Sequence, residues 1–224
     1  LRLIWTGWPF AAEAIALKAL QSVDRFVILS CLVNGEEQLG WYKIAIVMGA
    51  WTLDQSNQVS NVLFPRLGET LGRTSDPAAV LRLGLRTAEV IALSMVICSA
   101  GLLLVGVPIA HWLLPNYRPG LVAAGGMVAG AAFLGISMPL RYALLTIKRI
   151  RWMILVTGLA AAVSLGGGIA LLHGSEDLVG QDLGKLAWNS AAAAGLLLVM
   201  MLLLCCVGCR KLWNQAAVVA LAGV

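Results

Sequence analysis

Residues 17–31 read LKALQSVDRFVILSC, and this stretch carries a lysine, an aspartate and an arginine inside a strongly apolar chain. Of its 224 residues, 60% are hydrophobic and 12% are charged, whereas soluble domains have about 45–50% apolar and about 25% charged residues. An ionisable side chain at the centre of a membrane span costs about 2.5–3.5 kcal/mol on insertion scales, so such side chains usually face protein or a watery cavity. The stretch therefore predicts a membrane helix with one polar side.

Six apolar segments have spanning length, because about 20 apolar residues cross the hydrocarbon core of a bilayer. They predict helices, since backbone groups within lipid must be hydrogen-bonded inside the segment and the sequence lacks the short alternating strands typical of barrels. The predicted fold class is all-α, a polytopic membrane helix bundle with six transmembrane helices. The predicted spans are residues 9–30, 41–64, 88–107, 121–142, 152–172 and 186–206.

Basic residues predict the orientation of this bundle, because cytoplasmic flanks and loops of membrane proteins are enriched in Lys and Arg. One side collects Arg2, Arg66, Arg73, Arg82, Arg86, Arg141, Lys148, Arg149, Arg151, Arg210 and Lys211. The other side collects Lys43, Arg118 and Lys185. We therefore expect a multi-pass protein of the cytoplasmic (inner) membrane with both ends of this segment in the cytoplasm.

The domain organisation expected from these spans is a single transmembrane lobe over residues 1–211. Residues 212–224 are mildly apolar and are expected to form a cytoplasmic tail or the start of a truncated further span. The chain begins with Leu1 and shows no signal-peptide pattern, so we expect it to be part of a longer polypeptide.

Glycines on the fourth predicted span indicate close helix packing. Gly126 and Gly130 are four residues apart, and small residues at this spacing let two membrane helices approach closely. We expect this pair to pack within the bundle.

Patterns typical of catalysis, metal binding and nucleic-acid binding are missing from the sequence. Cys205, Cys206 and Cys209 cluster, but zinc normally takes four ligands and no neighbouring residue completes the set. No Ser-His-Asp order and no phosphate-cradling glycine loop occurs, and the net charge of +5 follows membrane topology. We expect no enzyme activity, no cofactor, no metal and no nucleic-acid partner.

Helical spacing sorts the polar residues of the first predicted span into two faces. Lys18, Gln21 and Arg25 lie at i, i+3 and i+7 and share one face. Glu13 and Asp24 are 11 residues apart, which is about three turns, so they share another face. The first helix is thus expected to have a cationic, hydrogen-bonding stripe beside an acidic one.

The second predicted span has a polar stripe of its own, formed by Asp54, Gln58 and Asn61 at i, i+4 and i+7. Two polar helices that follow each other through a short connection are expected to line one cavity. Amides and carboxylates can hydrogen-bond sugar hydroxyls, while Lys and Arg suit phosphate. The alternative is that Lys18 and Arg25 pair with Glu13, Asp24 or Asp54 only to hold helices together.

The run SVDRFVILSCLVNGEEQLGWYKIAIVMGAW, residues 22–51, resembles the start of the second half of polysaccharide flippases. These belong to the multidrug/oligosaccharidyl-lipid/polysaccharide exporter superfamily and include O-antigen flippase-like proteins. Its features are the Asp24-Arg25 pair, the LGWY of residues 39–42 and, further on, the VLFPRL of residues 62–67 and the LLPNY of residues 113–117. The six-span order with cytoplasmic ends is similar to one lobe of that family, the C-terminal one.

The resemblance implies a transporter that moves a lipid-linked oligosaccharide or polysaccharide precursor across the membrane by alternating access, as in lipopolysaccharide biosynthesis. It implies two six-helix lobes, so a missing N-terminal lobe of the same chain is an expected partner, with membrane lipid and the lipid-linked glycan. Lys18 and Arg25 would contact diphosphate or acidic sugar. The glycan path would be lined by Gln21, Asp54, Gln58 and Asn61. Glu13 and Asp24, with Asp54, are the candidates for ion coupling.

Other functions stay open at this point. A cation-coupled multidrug exporter of the same superfamily would have a more acidic and aromatic cavity. An integral membrane enzyme acting on lipid-linked glycan would need carboxylates or arginines in an outer loop. A structural or assembly subunit would use its polar stripes only to join helices.

Overall fold

The computed structural model describes the backbone of residues 2–32, 34–172 and 179–222, and the side chains of residues 8, 11–32, 34–172 and 182–208. These described residues form helices and contain no strand. The long helices are α1 (Arg2–Cys31), α2 (Gly35–Thr74), α3 (Pro77–Gly101), α6 (Ala124–Thr146), α7 (Ile150–Leu172) and α8 (Val179–Ala222). A π-helical turn, Leu102–Gly106, joins α3 to the short helix α4 (Val107–Leu113), and a 3₁₀ turn, Pro115–Tyr117, precedes α5 (Arg118–Leu121).

Four helical stretches within the described residues are long and apolar enough to cross a membrane: Pro77–Leu113, Ala124–Thr146, Ile150–Leu172 and Asp182–Gly208. They make the chain an α-helical, multi-pass membrane protein. The outer side of α3 fits this environment, since Val90, Leu93, Val96 and Ile97 are all largely exposed.

The first two predicted spans lie in α1 and α2, whose charged side chains interrupt their apolar runs. At about 1.5 Å per residue, the 30 residues of α1 and the 40 residues of α2 are long enough to cross a bilayer core of about 30 Å. That these two helices do cross, giving six spans, stays a prediction.

The expected end of the second helix at Pro65 is wrong, because α2 continues to Thr74. An interior proline removes one backbone hydrogen bond, and here the helix continues past it. The helix stops instead at Ser75, which adopts a left-handed conformation and donates its backbone N–H to the Leu71 carbonyl at 2.9 Å. The predicted basic connection of residues 65–87 is therefore mostly helical.

Helix α8 extends through the segment that we assigned to a tail or a further span, ending at Ala222. The side chains of Arg2, Cys209, Arg210 and Lys211 lie outside the described residues, as do those of residues 212–224. The assignment of this last segment stays a prediction.

Helix α6 is the centre of the bundle. It packs against α2, α3 and α8, whereas α1 packs chiefly on α7. The buried residues form two clusters, one around Leu81, Leu140 and Leu197 and the other around Ile28, Tyr42 and Leu186.

The close packing expected at the glycine pair of the fourth predicted span is confirmed. A Cβ atom placed on Gly126 would lie 2.6 Å from the backbone carbon of Ala187, and one on Gly130 would lie 3.3 Å from the Cα atom of Ala191. Small residues on both helices thus allow α6 and α8 to approach closely.

We expect Gly126→Ala to lower the free energy of unfolding by about 1–3 kcal/mol, the usual cost of overpacking, because the α8 backbone must shift. Thermal or denaturant unfolding of the purified protein in detergent measures the effect. The matched control is Gly158→Ala, since a Cβ atom there meets nothing within 4 Å. Equal stability of the two variants would contradict the packing described for α6 and α8.

Candidate functional site

A cavity of about 500 Å³ lies between α1, α2 and α6. We call it the cationic cavity. Its charged lining residues are Glu13, Lys18 and Arg25 from α1, Asp54 from α2, and Arg141 from α6. Because these side chains come from three helices, the cavity depends on the packing of α1, α2 and α6 in the bundle.

Four of the six residues predicted to bind substrate meet in this cavity: Lys18, Gln21, Arg25 and Asp54. The other two do not line it. Gln58 and Asn61 are exposed on α2, about one and two turns beyond Asp54. Asn57, which was not among the predicted binding residues, lines the cavity instead and donates from its amide to Asp54 at 3.5 Å.

Lys18 and Arg25, the cations of α1 whose side chains the structure describes, make no salt bridge of 4.0 Å or less with the described carboxylates. Among the described residues, ion pairs join Glu13 to Arg141 and Asp182 to Lys185. Lys18 and Arg25 are both exposed rather than packed into a helix contact. The charge of Arg25 does act on the neighbouring Asp24 carboxylate, so whether these cations bind a ligand or serve pairing within the protein stays a prediction.

Glu13 pairs with Arg141, a cation that was not among the predicted site residues. Its carboxylate meets the guanidinium of Arg141, and both residues are buried, at 6% and 4% exposure. We expected Arg141 among the basic residues at the cytoplasmic end of the fourth predicted span, but it lies inside α6, more than one turn before the helix ends at Thr146. The apolar residues on both sides of it, MPLRYALL over residues 138–145, were the signal that could have indicated burial.

Asp24 is the centre of a separate polar contact. Its carboxylate accepts hydrogen bonds from the Tyr42 hydroxyl, at 2.9 Å, and from the Ser190 hydroxyl. Ser190 in turn lies 3.3 Å from the hydroxyl of Ser164 on α7. Asp24 thus joins α1 to α2 and α8. The sequence could not indicate this contact, since the partners are 18 and 166 residues away.

The three carboxylates that we considered for ion coupling lie in two places. Glu13 and Asp54 line the cationic cavity, whereas Asp24 lines a smaller cavity of about 140 Å³ beside Gly126, Gly130 and Ser190. Gln21 and Arg25 line both cavities, so the two spaces adjoin. A role of Glu13 or Asp24 in coupling stays a prediction.

No group of three or more metal-ligating side chains occurs among the residues that the structure describes. Cys205 is buried and Cys206 is exposed, so the first two cysteines of the cluster face different surroundings. What the cavity offers a ligand is therefore hydrogen bonding and positive charge.

No protein-family model, curated protein or solved structure matches this chain. The chemistry of the cavity is therefore the basis for a functional assignment.

We expect Tyr42→Phe to lower the free energy of unfolding by about 1–3 kcal/mol, because the buried Asp24 carboxylate loses a hydrogen-bond donor. The ring and its packing are retained, so a loss of stability reports the hydroxyl alone. Tyr117→Phe is the control, since Tyr117 is exposed. An unfolding midpoint in detergent that is the same for both variants would contradict a stabilising role of the Tyr42–Asp24 hydrogen bond.

Proposed function

We propose that this chain is one six-helix lobe of a membrane transporter that moves a lipid-linked oligosaccharide or polysaccharide precursor across the cytoplasmic membrane by alternating access. The observation that carries the proposal is the cationic cavity, which Lys18 and Arg25 line and in which neither makes a salt bridge of 4.0 Å or less to a carboxylate of the described residues.

The chemistry of the lining suits a phosphorylated glycan. Arg25 can hold a phosphate through its forked donors and Lys18 as a point charge. Gln21 and Asn57 add amides that can bond sugar hydroxyls, and Asp54 adds an acceptor. A cavity of about 500 Å³ lies within the range of about 300–1,000 Å³ usual for small-molecule sites. It therefore suits a diphosphate with its first sugar.

The exposed polar side of α2 supports a second lobe. Asp54, Gln55, Gln58 and Asn61 are exposed on this helix, and polar side chains at membrane depth normally face protein or water. A facing lobe with a water-filled space between the lobes would cover this side. Gln58 and Asn61 would then line the glycan path between the lobes, as the resemblance implies.

We expect the double variant Lys18→Ala/Arg25→Ala, made in the complete polypeptide, to reduce surface polysaccharide by at least about tenfold and to accumulate lipid-linked intermediate. The physical reason is the loss of two charge-assisted contacts, each commonly worth about 1.5–3 kcal/mol. Surface polysaccharide is measured by immunoblot and the intermediate by extraction and mass spectrometry.

The matched control is Lys43→Ala/Arg118→Ala, which removes one lysine and one arginine that are exposed and do not line the cavity. Membrane abundance is measured for both double variants. Normal polysaccharide from a stably inserted Lys18→Ala/Arg25→Ala variant would contradict the proposed function. Loss of drug efflux in the Lys18→Ala/Arg25→Ala variant, with normal polysaccharide, would instead favour a multidrug exporter.

A further inference from the structure

Arg141 is a third cation in the wall of the cationic cavity, and its hydrogen-bonding capacity is only partly used. A guanidinium has five N–H donors. In the described structure, one terminal nitrogen meets the Glu13 carboxylate, and the other lies 3.7 Å from the sulfur of Met138. The Nε atom is buried and has no acceptor among the described residues.

The position of Arg141 complements that of the other two cations. Lys18 and Arg25 reach the cavity from α1, whereas Arg141 reaches it from α6, the central helix. An anion between these helices could therefore be contacted from two sides. The Glu13 carboxylate already occupies one side of that position, as an anion supplied by the protein itself.

We propose that Arg141 is an anion-binding residue whose guanidinium is paired with Glu13 when no ligand is bound. A phosphate-bearing ligand then competes with Glu13 for the guanidinium. The identity of the ligand in this inference rests on the proposed function. The replacement of Glu13 at Arg141 requires only that the ligand be an anion. A phosphate group offers more acceptor oxygens than one carboxylate and can accept from the forked donors of Arg141. Glu13 then sets the affinity, because every bound anion must displace it.

This replacement also gives Glu13 a role in selection. A neutral ligand has no charge to attract Arg141 and does not displace Glu13, so the Glu13–Arg141 ion pair stays formed. A singly charged carboxylate only replaces one carboxylate by another, whereas a diphosphate brings more charge and more acceptors. The cavity is thus expected to prefer diphosphate over monocarboxylates.

The test is binding of inorganic pyrophosphate to the complete polypeptide in nanodiscs, measured by calorimetry, with acetate as the monocarboxylate probe. We expect Glu13→Gln to tighten pyrophosphate binding by about tenfold, because a neutral amide holds the guanidinium less strongly than a carboxylate does. Glu13→Gln/Arg141→Gln should bind at least about tenfold more weakly than Glu13→Gln, since the freed cation is then gone.

Asp182→Asn is the matched control, because it removes the acidic member of the other described ion pair and does not line the cavity. Its affinity for pyrophosphate should stay within about twofold of the unmodified chain. If Glu13→Gln fails to fold, Glu13→Asp replaces it, since a shorter carboxylate reaches Arg141 less well and should tighten binding by about threefold.

The proposal that an anion competes with Glu13 for Arg141 would be overturned if the unmodified chain, Glu13→Gln and Glu13→Gln/Arg141→Gln bound pyrophosphate with equal affinity. Equal affinity for acetate and pyrophosphate would overturn the preference for diphosphate. A failure of the proposed function would give a different result. Pyrophosphate binding would respond to the Glu13 and Arg141 substitutions as expected, while the Lys18→Ala/Arg25→Ala variant would make normal surface polysaccharide.

Discussion

Burial of charge is the constraint on which this structure depends. A buried ionisable group needs water, a hydrogen bond or an opposite charge, because taking it out of water is otherwise costly. The chain meets the need in three ways. Glu13 pairs with Arg141, Asp24 receives hydroxyl donors from Tyr42 and Ser190, and Lys18 and Arg25 reach into a cavity.

These three solutions also position the helices. The Asp24 contact links α1 to α2 and α8, and the Glu13 contact links α1 to α6. Glu13 and Asp24, which make these contacts, lie about three turns apart on α1. Lys18 and Arg25 of the same helix line the cationic cavity together with Glu13.

Helix α6 provides the rigid surface beneath this arrangement. Its glycines at 126 and 130 bring α8 close, and Ser56 of α2 donates its hydroxyl to the Gly135 carbonyl at 2.6 Å. Since α6 packs against three long helices and also carries Arg141, the position of that cation is fixed by the best-packed part of the bundle. This explains why a residue at the end of a predicted span can be buried.

Much of the helical order could be predicted from the sequence, because hydropathy and spacing report local backbone and helix faces. The six predicted spans are almost entirely helical, the exception being a turn at residues 122–123 between α5 and α6. Lys18, Gln21 and Arg25, which spacing placed on one face, line one cavity with Asp54. The spacing rule failed for Gln58 and Asn61, because residues on one face of a 40-residue helix do not all meet the same neighbour.

The sequence could not indicate which side chains from distant helices contact each other. The partners of Asp24 and Glu13 depend on how α2, α6 and α8 cross α1, which no local pattern records. The continuation of α2 past Pro65 is a local feature instead, since the helix ends in the turn at Ser75 and not at the proline.

The central claim is that the space between α1, α2 and α6 is an aqueous, cationic cavity. The most direct measurement is the reaction rate of an anionic, membrane-impermeant thiol reagent with Ala50→Cys in a background without native cysteines. Ala50 lines this cavity, whereas Val47, one turn away on α2, is exposed but lines neither cavity described above. We expect Ala50→Cys to react at least about tenfold faster than Val47→Cys, and faster with an anionic than with a cationic reagent. Equal slow reaction at both positions would contradict a water-filled cationic cavity.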